Sequence, residues 1–442
     1  MTDLIIIGCG PGGYQTASYA AQKGLQVTIF EDQQVGGTCL NCGCIPTKTY
    51  CHMAEVIDGM RAAGTYGIDN LNFEINFSKI LGRKNEVVSQ LREGIETLMA
   101  APEITLIRGK AEIKDAHTVM CNGEEHSAKN IIIATGSHAK KPPIEGIEAP
   151  NVVTSTELLA LDHLPKRLVI VGAGVIGMEF AAAFSTFGSE VTIIEFLKEC
   201  LPPVDSDIAK RLRKLLEKRG IKFYLQAGVK RIEGQSVFFE QKGKELCVEG
   251  DTILIATGRG ANADKLNLEG AGIAYDRQGI QTDENLETNV SGVYAIGDVN
   301  GKMMLAHAAE FQGYHVINHL IGQEDQIRLD IMPSAVFTNP EVAGVGLTED
   351  QCKANGLTYG SHKGFYRANG KALAMDATDG LVKILTDEAN KIIGCHILGA
   401  HASDMVQEVT ALMNKNATIS DLHDIIHTHP TLSEILLDAA AK

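Results

Sequence analysis

DLIIIGCGPGGYQTASYAAQKGLQVTIFE, residues 3 to 31, holds an apolar run, a G-x-G-x-x-G, an Ala-rich stretch, a glycine, a second apolar run and a glutamate. A strand buried on both faces of a parallel sheet needs a continuous run of branched apolar residues, and LIII supplies one. The three glycines answer three different needs. Gly8 makes the tight turn, Gly10 lets backbone approach a pyrophosphate, and Gly13 lets helix and strand pack closely. The helix that follows turns unpaired N–H groups and the positive end of its dipole towards the phosphates. Glu31 ends the second strand, where a carboxylate accepts hydrogen bonds from a ribose diol.

Residues 167 to 195, RLVIVGAGVIGMEFAAAFSTFGSEVTIIE, repeat the pattern at the same spacing, with Gly172, Gly174, Gly177 and Glu195 in the matching places. A 2′-phosphate would be repelled by Glu195, so the second copy favours NAD over NADP. One such glycine motif is often only a tight strand–helix turn. Two, each inside a strand–helix–strand frame ending in glutamate, predict two bound dinucleotides. NIIIATGS (130–137) and TILIATGR (252–259) each follow their glycine motif as a strand closing its sheet, and they place Thr135 and Gly136 at the first nucleotide and Gly258 at the second. GVYAIGDV (292–299) puts Asp298 at a strand's carboxyl end, where α/β sheets bind ligands. Past residue 330 the stretches PSAVFTNPEVAGVGLTED, LVKILTD and KIIGCHILG read as antiparallel strands, with helices near 402–415 and 431–440 and a capping box at Thr431–Glu434. The expected fold class is α/β: two doubly wound Rossmann-like dinucleotide-binding domains and a C-terminal α+β domain. The expected boundaries are 1–143 for the first part of the first nucleotide domain and 144–260 for the second domain. Residues 261–330 return to the first, and 331–442 form the last domain.

A chain of 442 residues, 44% hydrophobic and 21% charged, has the composition of a globular protein of several domains. Its net charge of −15 opposes nucleic acid or an anionic membrane as partner. No apolar run approaches a membrane span, and Met1 leads almost directly into LIIIG without room for a signal or transit peptide. Ten cysteines are too sparse for a disulfide scaffold, and their clustering points to redox or metal chemistry in a reducing compartment, the cytoplasm.

Three of those cysteines fall in GGTCLNCGCIPTK, residues 36 to 48. A redox disulfide could join Cys39–Cys44, Cys39–Cys42 or Cys42–Cys44. Alternatively the three, with Cys51 or a histidine, could bind zinc or an iron–sulfur cluster, although no second C-x-x-C knuckle is present. Pro46 suits the first turn of a helix beginning after Cys44. The box lies just past Glu31, so a nucleotide bound at the first motif would extend towards it. That placement suggests a dithiol facing a flavin, hence FAD at Gly8, Gly10, Gly13 and Glu31.

GGTCLNCGCIPTK resembles the active-site signature of the class I pyridine nucleotide–disulfide oxidoreductases, GGTC-x4-C-x-P-x-K. The resemblance covers essentially the whole chain, through the first glycine motif, the cysteine box, both ATG strands, GVYAIGDV, MLAHAAEFQG, PSAVFTNPEVAGVGLTE and HTHPTLSE. It implies Cys39–Cys44 as the redox pair, with Cys39 meeting the substrate and Cys44 beside the flavin, and it leaves Cys42 a bystander. It implies that Lys48 favours the Cys44 thiolate and pairs with Glu179, that His429 is the base, and that Glu434 orients it. His427 is then a packing residue. It also implies a homodimer joined through the C-terminal domain. HTHPTLSE together with the C-x4-C box points to those members that oxidise dihydrolipoamide, carried on a lipoyl domain of a multienzyme complex, with FAD and NAD as cofactors and no metal. Glutathione- and trypanothione-reducing members use NADPH, which Glu195 opposes. Mercury-reducing members usually carry a C-terminal cysteine pair, absent from ILLDAAAK. A cysteine-cluster electron-transfer protein is the reading from another class. Ala261 and Ala400 stand where the family commonly has other residues, and neither position carries a reactive group.

Overall fold

A computed structural model describes residues 2–264 and 266–441. The chain forms two compact units. The first comprises Met1–Thr49, Lys79–Lys140 and Gly258–Leu329; the second comprises Tyr50–Ser78, Lys141–Thr257 and Asp330–Lys442.

In the first unit, Thr2–Ile7 lies between Val27–Glu31 and Glu124–Ile133, all parallel, with Ile104–Arg108 beyond the former and Val293–Ala295 beyond the latter. Leu4 and Ile6 pack with Ala17 and Ala20 of the helix Pro11–Gln22 and with Val316 and Ile317 of Ala306–Leu320. Ile5 and Ile7 pack on the opposite face with Ile113 and Val119. Both faces of the strand are therefore covered, which is why its sequence is apolar throughout rather than alternating. The two helices approach closely: a Cβ on Gly313 would sit 1.7 Å from the Thr16 Oγ1. The first half of Glu124–Ile133 pairs antiparallel with Thr118–Cys121, which pairs with Ala111–Asp115.

The second unit repeats the plan. Arg167–Val171 lies between Glu190–Ile194 and Thr252–Ile255, with Lys222–Tyr224 and Val152–Val153 at the edges, every pair parallel. An antiparallel meander, Ala227–Glu233, Ser236–Gln241 and Lys244–Glu249, again precedes the ATG strand. The same unit holds a five-stranded antiparallel sheet in the order Ser334–Val336, Glu341–Gly346, Ile392–Gly399, Leu381–Thr386, Gly360–Phe365. The helices Ala402–Asn414 and Glu434–Ala440 share its core. Lys383, fully buried on this sheet, is held by Asp205 Oδ1 at 2.7 Å and Glu349 Oε2 at 2.8 Å. Asp205 also caps the helix Ser206–Lys218.

The fold class is the expected one. The last helix differs in detail: it begins at Glu434, with Ser433 as its N-cap. Glu434 does accept the Thr431 N–H at 2.8 Å, but the Thr431 hydroxyl donates to the Thr428 carbonyl, so only half of the capping box forms. Among the described residues no helix is long and apolar enough to cross a membrane.

Candidate active site

The two glycine loops have the same construction. Gly8 and Gly172 have φ of +102° and +107°, and a Cβ on either would lie 2.5 Å from the carbonyl oxygen of Ala134 or Ala256, the first residue of each ATG triplet. A Cβ on Gly13 or Gly177 would lie 1.8 or 2.1 Å from the oxygen of Gly8 or Gly172. The middle glycines are different. A Cβ on Gly174 would meet nothing within 4 Å, and on Gly10 only the Gly37 Cα at 3.8 Å. Gly10 and Gly174 are the N-caps of Pro11–Gln22 and Val175–Phe187, and no side chain caps either helix. Each loop thus leaves an open cradle before a helix N-terminus with unbonded N–H groups, which fits the pyrophosphate of a dinucleotide.

Each terminal glutamate is tied to its loop. Glu31 Oε2 accepts the Cys9 N–H and Oε1 the Gln33 N–H, both at 2.8 Å. Glu195 Oε2 accepts the Ala173 N–H at 2.6 Å and Oε1 the Leu197 N–H at 2.7 Å. Burial holds the Glu31 carboxyl above its usual range, and the two N–H groups only oppose that rise.

Beyond the first ATG triplet a polar knot surrounds Asp298. The Ser137 hydroxyl donates to Asp298 Oδ2, and Arg259 donates through Nε to Ser137 Oγ at 2.7 Å and through Nη2 to the Ser137 carbonyl at 2.6 Å. Burial raises the Asp298 carboxyl, while Ser137 and the Arg259 charge oppose that rise. Thr135 Oγ1 donates to the Asn262 carbonyl at 2.8 Å, and Asn262 Nδ2 returns a bond to the Thr135 carbonyl at 2.9 Å. The sequence reading missed Ser137, Arg259 and Asn262. Ser137 and Arg259 follow directly on the two ATG triplets, and that matching position was the available signal. Gly136 and Gly258 each leave open space around the Cβ position.

The cysteine box is stitched to the first loop. The Gly36 N–H donates to the Cys9 carbonyl at 2.8 Å, and a Cβ on Gly37 would fall 2.7 Å from the Gly10 Cα. Cys39 and Cys42 lie on the short helix Gly37–Cys42, and Gly43 separates it from Cys44–Arg61, which Cys44 heads. The turn at Gly43 has no room for a side chain, since a Cβ there would lie 2.8 Å from the Thr38 carbonyl oxygen. Asn41 fixes the short helix by donating to the Val35 and Gly37 carbonyls, while its Oδ1 accepts two bonds from Arg92. The Cys39 and Cys44 thiols hydrogen-bond to each other. That bond, burial and the Cys44 charge all push Cys39 strongly up, and the Lys48 charge opposes them. Lys48 follows Cys44 by one helical turn. Tyr14, also missed from sequence, is pushed up to about 12 by burial and by the charges of Cys39 and Glu310.

In the second unit, His429 Nδ1 lies 2.9 Å from Glu434 Oε1, and the imidazole is 81% exposed. The Thr431 N–H and His429 hold the Glu434 carboxyl below the usual range. His427 contrasts with it: Nδ1 meets the Ile425 carbonyl at 2.9 Å, Nε2 meets Glu408 Oε1 at 3.0 Å, and the side chain is 3% exposed. Glu179 is buried on Val175–Phe187 and accepts the Phe337 N–H at 3.0 Å. Lys48 belongs to the first unit and Glu179 to the second. Among the described residues no three His, Cys, Asp or Glu side chains are placed to hold a metal ion.

Residues 2–313 match the family of the pyridine nucleotide–disulphide oxidoreductases, and residues 332–440 match the dimerisation domain of that family. The mitochondrial dihydrolipoyl dehydrogenase of Pisum sativum is 38% identical over 453 residues, covering 99% of this chain and 90% of its own. The dihydrolipoyl dehydrogenase of Mycoplasma pneumoniae is 37% identical over 451 residues, covering 100% and 98%. Among solved structures, the HOCl-induced flavoprotein disulfide reductase RclA from Escherichia coli superposes with a TM-score of 0.88 at 33% identity, over 99% of each chain.

Proposed function

The chain belongs to the pyridine nucleotide–disulphide oxidoreductases, and from that premise we propose that it oxidises dihydrolipoamide to lipoamide and passes the electrons to NAD⁺. The observation that carries the reading is the hydrogen-bonded Cys39–Cys44 pair, built directly onto the first nucleotide loop. The names borne by the curated relatives support the substrate. Glu195, tied into the second loop where a 2′-phosphate would sit, supports NAD over NADP. FAD and NAD are the cofactors. FAD would lie along Gly8, Gly10, Gly13, Glu31, Thr135, Gly136 and Asp298, and NAD along Gly172, Gly174, Gly177, Glu179, Glu195 and Gly258.

The chain's own residues handle protons and sulfur. His429, held by Glu434, removes a proton from one thiol of the substrate. The thiolate attacks Cys39 Sγ, the Cys39–Cys44 bond breaks, and Cys44 leaves as thiolate. The second substrate thiol then displaces Cys39 from the mixed disulfide, and lipoamide departs. Cys44 is suited to leaving: it stands at the positive end of the helix Cys44–Arg61, with the Lys48 ammonium one turn away. Bound FAD supplies the two-electron acceptor between this dithiol and the nicotinamide.

A homodimer is part of the proposal, supported by the match to a dimerisation domain, with each His429 serving the dithiol of the opposite protomer. The substrate dithiol would arrive on a lipoyl domain of a multienzyme complex, in the cytoplasm. Residues 1–143 and 261–330 would hold FAD, residues 144–260 NAD, and residues 331–442 the dimer contact. The test is an assay of NADH formation from dihydrolipoamide with NAD⁺ and with NADP⁺. Turnover with NAD⁺ is expected; turnover only in the direction of NADPH and glutathione disulfide would overturn the substrate.

A further inference from the structure

Directly after Glu195 two apolar side chains stand in solvent: Phe196 is 77% exposed and Leu197 45%. In the first copy the same places are Asp32 and Gln33, although Glu31 and Glu195 are otherwise tied to their loops in the same way. The backbone around Phe196 is firmly placed. The Leu197 N–H donates to Glu195 Oε1, the Gln226 N–H to the Leu197 carbonyl at 2.9 Å, and the Ala227 N–H to the Glu195 carbonyl at 2.9 Å. The ring lies over Gly228, whose Cβ position would be 3.6 Å from the phenyl Cδ2. One side of the ring is thus set against main chain and the other is open.

A single exposed apolar residue is ordinary. Its place here is not. It stands at the carboxyl end of a parallel strand, beside the carboxylate that marks the ribose end of a nucleotide site. We propose that Phe196 is the stacking platform for the adenine ring of the dinucleotide held by the second glycine loop. The inference rests on the assignment of NAD to that loop. It also accounts for the difference between the copies. A resident flavin nucleotide is held along its whole length, whereas an exchanging nucleotide needs a strong contact remote from its reacting ring. Such a contact acts equally before and during reaction, so it sets affinity rather than turnover.

The test is equilibrium binding of 5′-AMP and NAD⁺ to the FAD-loaded protein by calorimetry. Phe196→Ala is expected to weaken both by about tenfold, the loss of one base–aromatic stack, and Phe196→Tyr to restore them. In turnover, Phe196→Ala is expected to raise KM for NAD⁺ by a similar factor with kcat kept. It is expected to leave kcat/KM for nicotinamide mononucleotide, which lacks adenine, unchanged. Unaltered AMP and NAD⁺ affinities in Phe196→Ala would overturn the platform and leave the proposed function standing. A wild-type protein that binds no NAD⁺ would overturn both.

Discussion

His427 and His429 stand two residues apart, and their surroundings divide the work between them. His427 is engaged at both ring nitrogens and buried, while His429 is anchored at Nδ1 by Glu434 and otherwise open. A general base needs a fixed ring with one nitrogen available. His429→Ala is expected to lower kcat with dihydrolipoamide by about 10²–10⁴-fold, with the flavin content unchanged. An effect below about tenfold would remove His429 from the mechanism. Cys42→Ala is expected to leave turnover near wild type, since the hydrogen-bonded pair is Cys39 with Cys44. A large loss, read in the same steady-state assay, would make Cys42 a participant. At this scale the candidate reactive residues stood out in the sequence because each lay inside a dense motif, and their roles came from the resemblance. Ser137, Arg259 and Asn262 were not legible, because single polar residues after a turn carry no periodic signal and only the folded ribbon brings Ser137 and Arg259 to Asp298 and Asn262 to Thr135.

The strand–glycine–helix unit occurs twice, and its glycines make opposite predictions. Gly174→Ala places a methyl in open space, so the protein is expected to fold and to keep its flavin while losing NAD⁺ affinity, as read by calorimetry. Gly177→Ala would put its Cβ 2.1 Å from the Gly172 oxygen, so it is expected to disrupt the second loop and lower the urea midpoint. The reverse pattern would contradict the loop assignments. Another element-level test lies at Lys383. Removing the Asp205 carboxylate strips both a helix cap and a buried partner, so Asp205→Ala is expected to cost about 3–5 kcal/mol in denaturant unfolding. Glu349, bonded to Lys353 and Lys383, is held down to about 2. A carboxyl depressed in the folded state stabilises above its unfolded pKa. That part of the stability is therefore expected to vanish as pH falls from about 4.5 to about 2. Glu349→Gln should lack this loss in a pH series of urea midpoints. The repeated elements were legible because their spacing is fixed by the ligand. The two meanders were not, since half-exposed antiparallel strands of mixed composition leave only a weak alternation. The last helix start was misplaced because Thr431 turned its hydroxyl to Thr428 rather than to the helix.

For the molecule as a whole, the sequence duplication reappears as two sheets that share the order of four parallel strands and differ in the fifth, Val293–Ala295 in one and Val152–Val153 in the other, and the shared part was readable from the sequence. Assembly was readable only through resemblance, because an exposed histidine on a C-terminal segment does not say which chain it serves. If His429 acts across a homodimer, Cys39→Ala and His429→Ala proteins are inactive alone. Unfolded and refolded together, they are expected to recover about a quarter of wild-type activity, from the heterodimer's one intact site. No recovery would place base and dithiol in one protomer. The central claim is that a Cys39–Cys44 disulfide carries electrons from dihydrolipoamide to NAD⁺, and its most direct test is spectroscopic. Purified protein is mixed anaerobically with dihydrolipoamide, the flavin absorption is followed, and NAD⁺ is then added. The account predicts a long-wavelength band from a Cys44 thiolate against the flavin, absent in Cys44→Ser, and its loss as NADH appears. A flavin that dihydrolipoamide leaves untouched, yet NADH or NADPH bleaches, would contradict it.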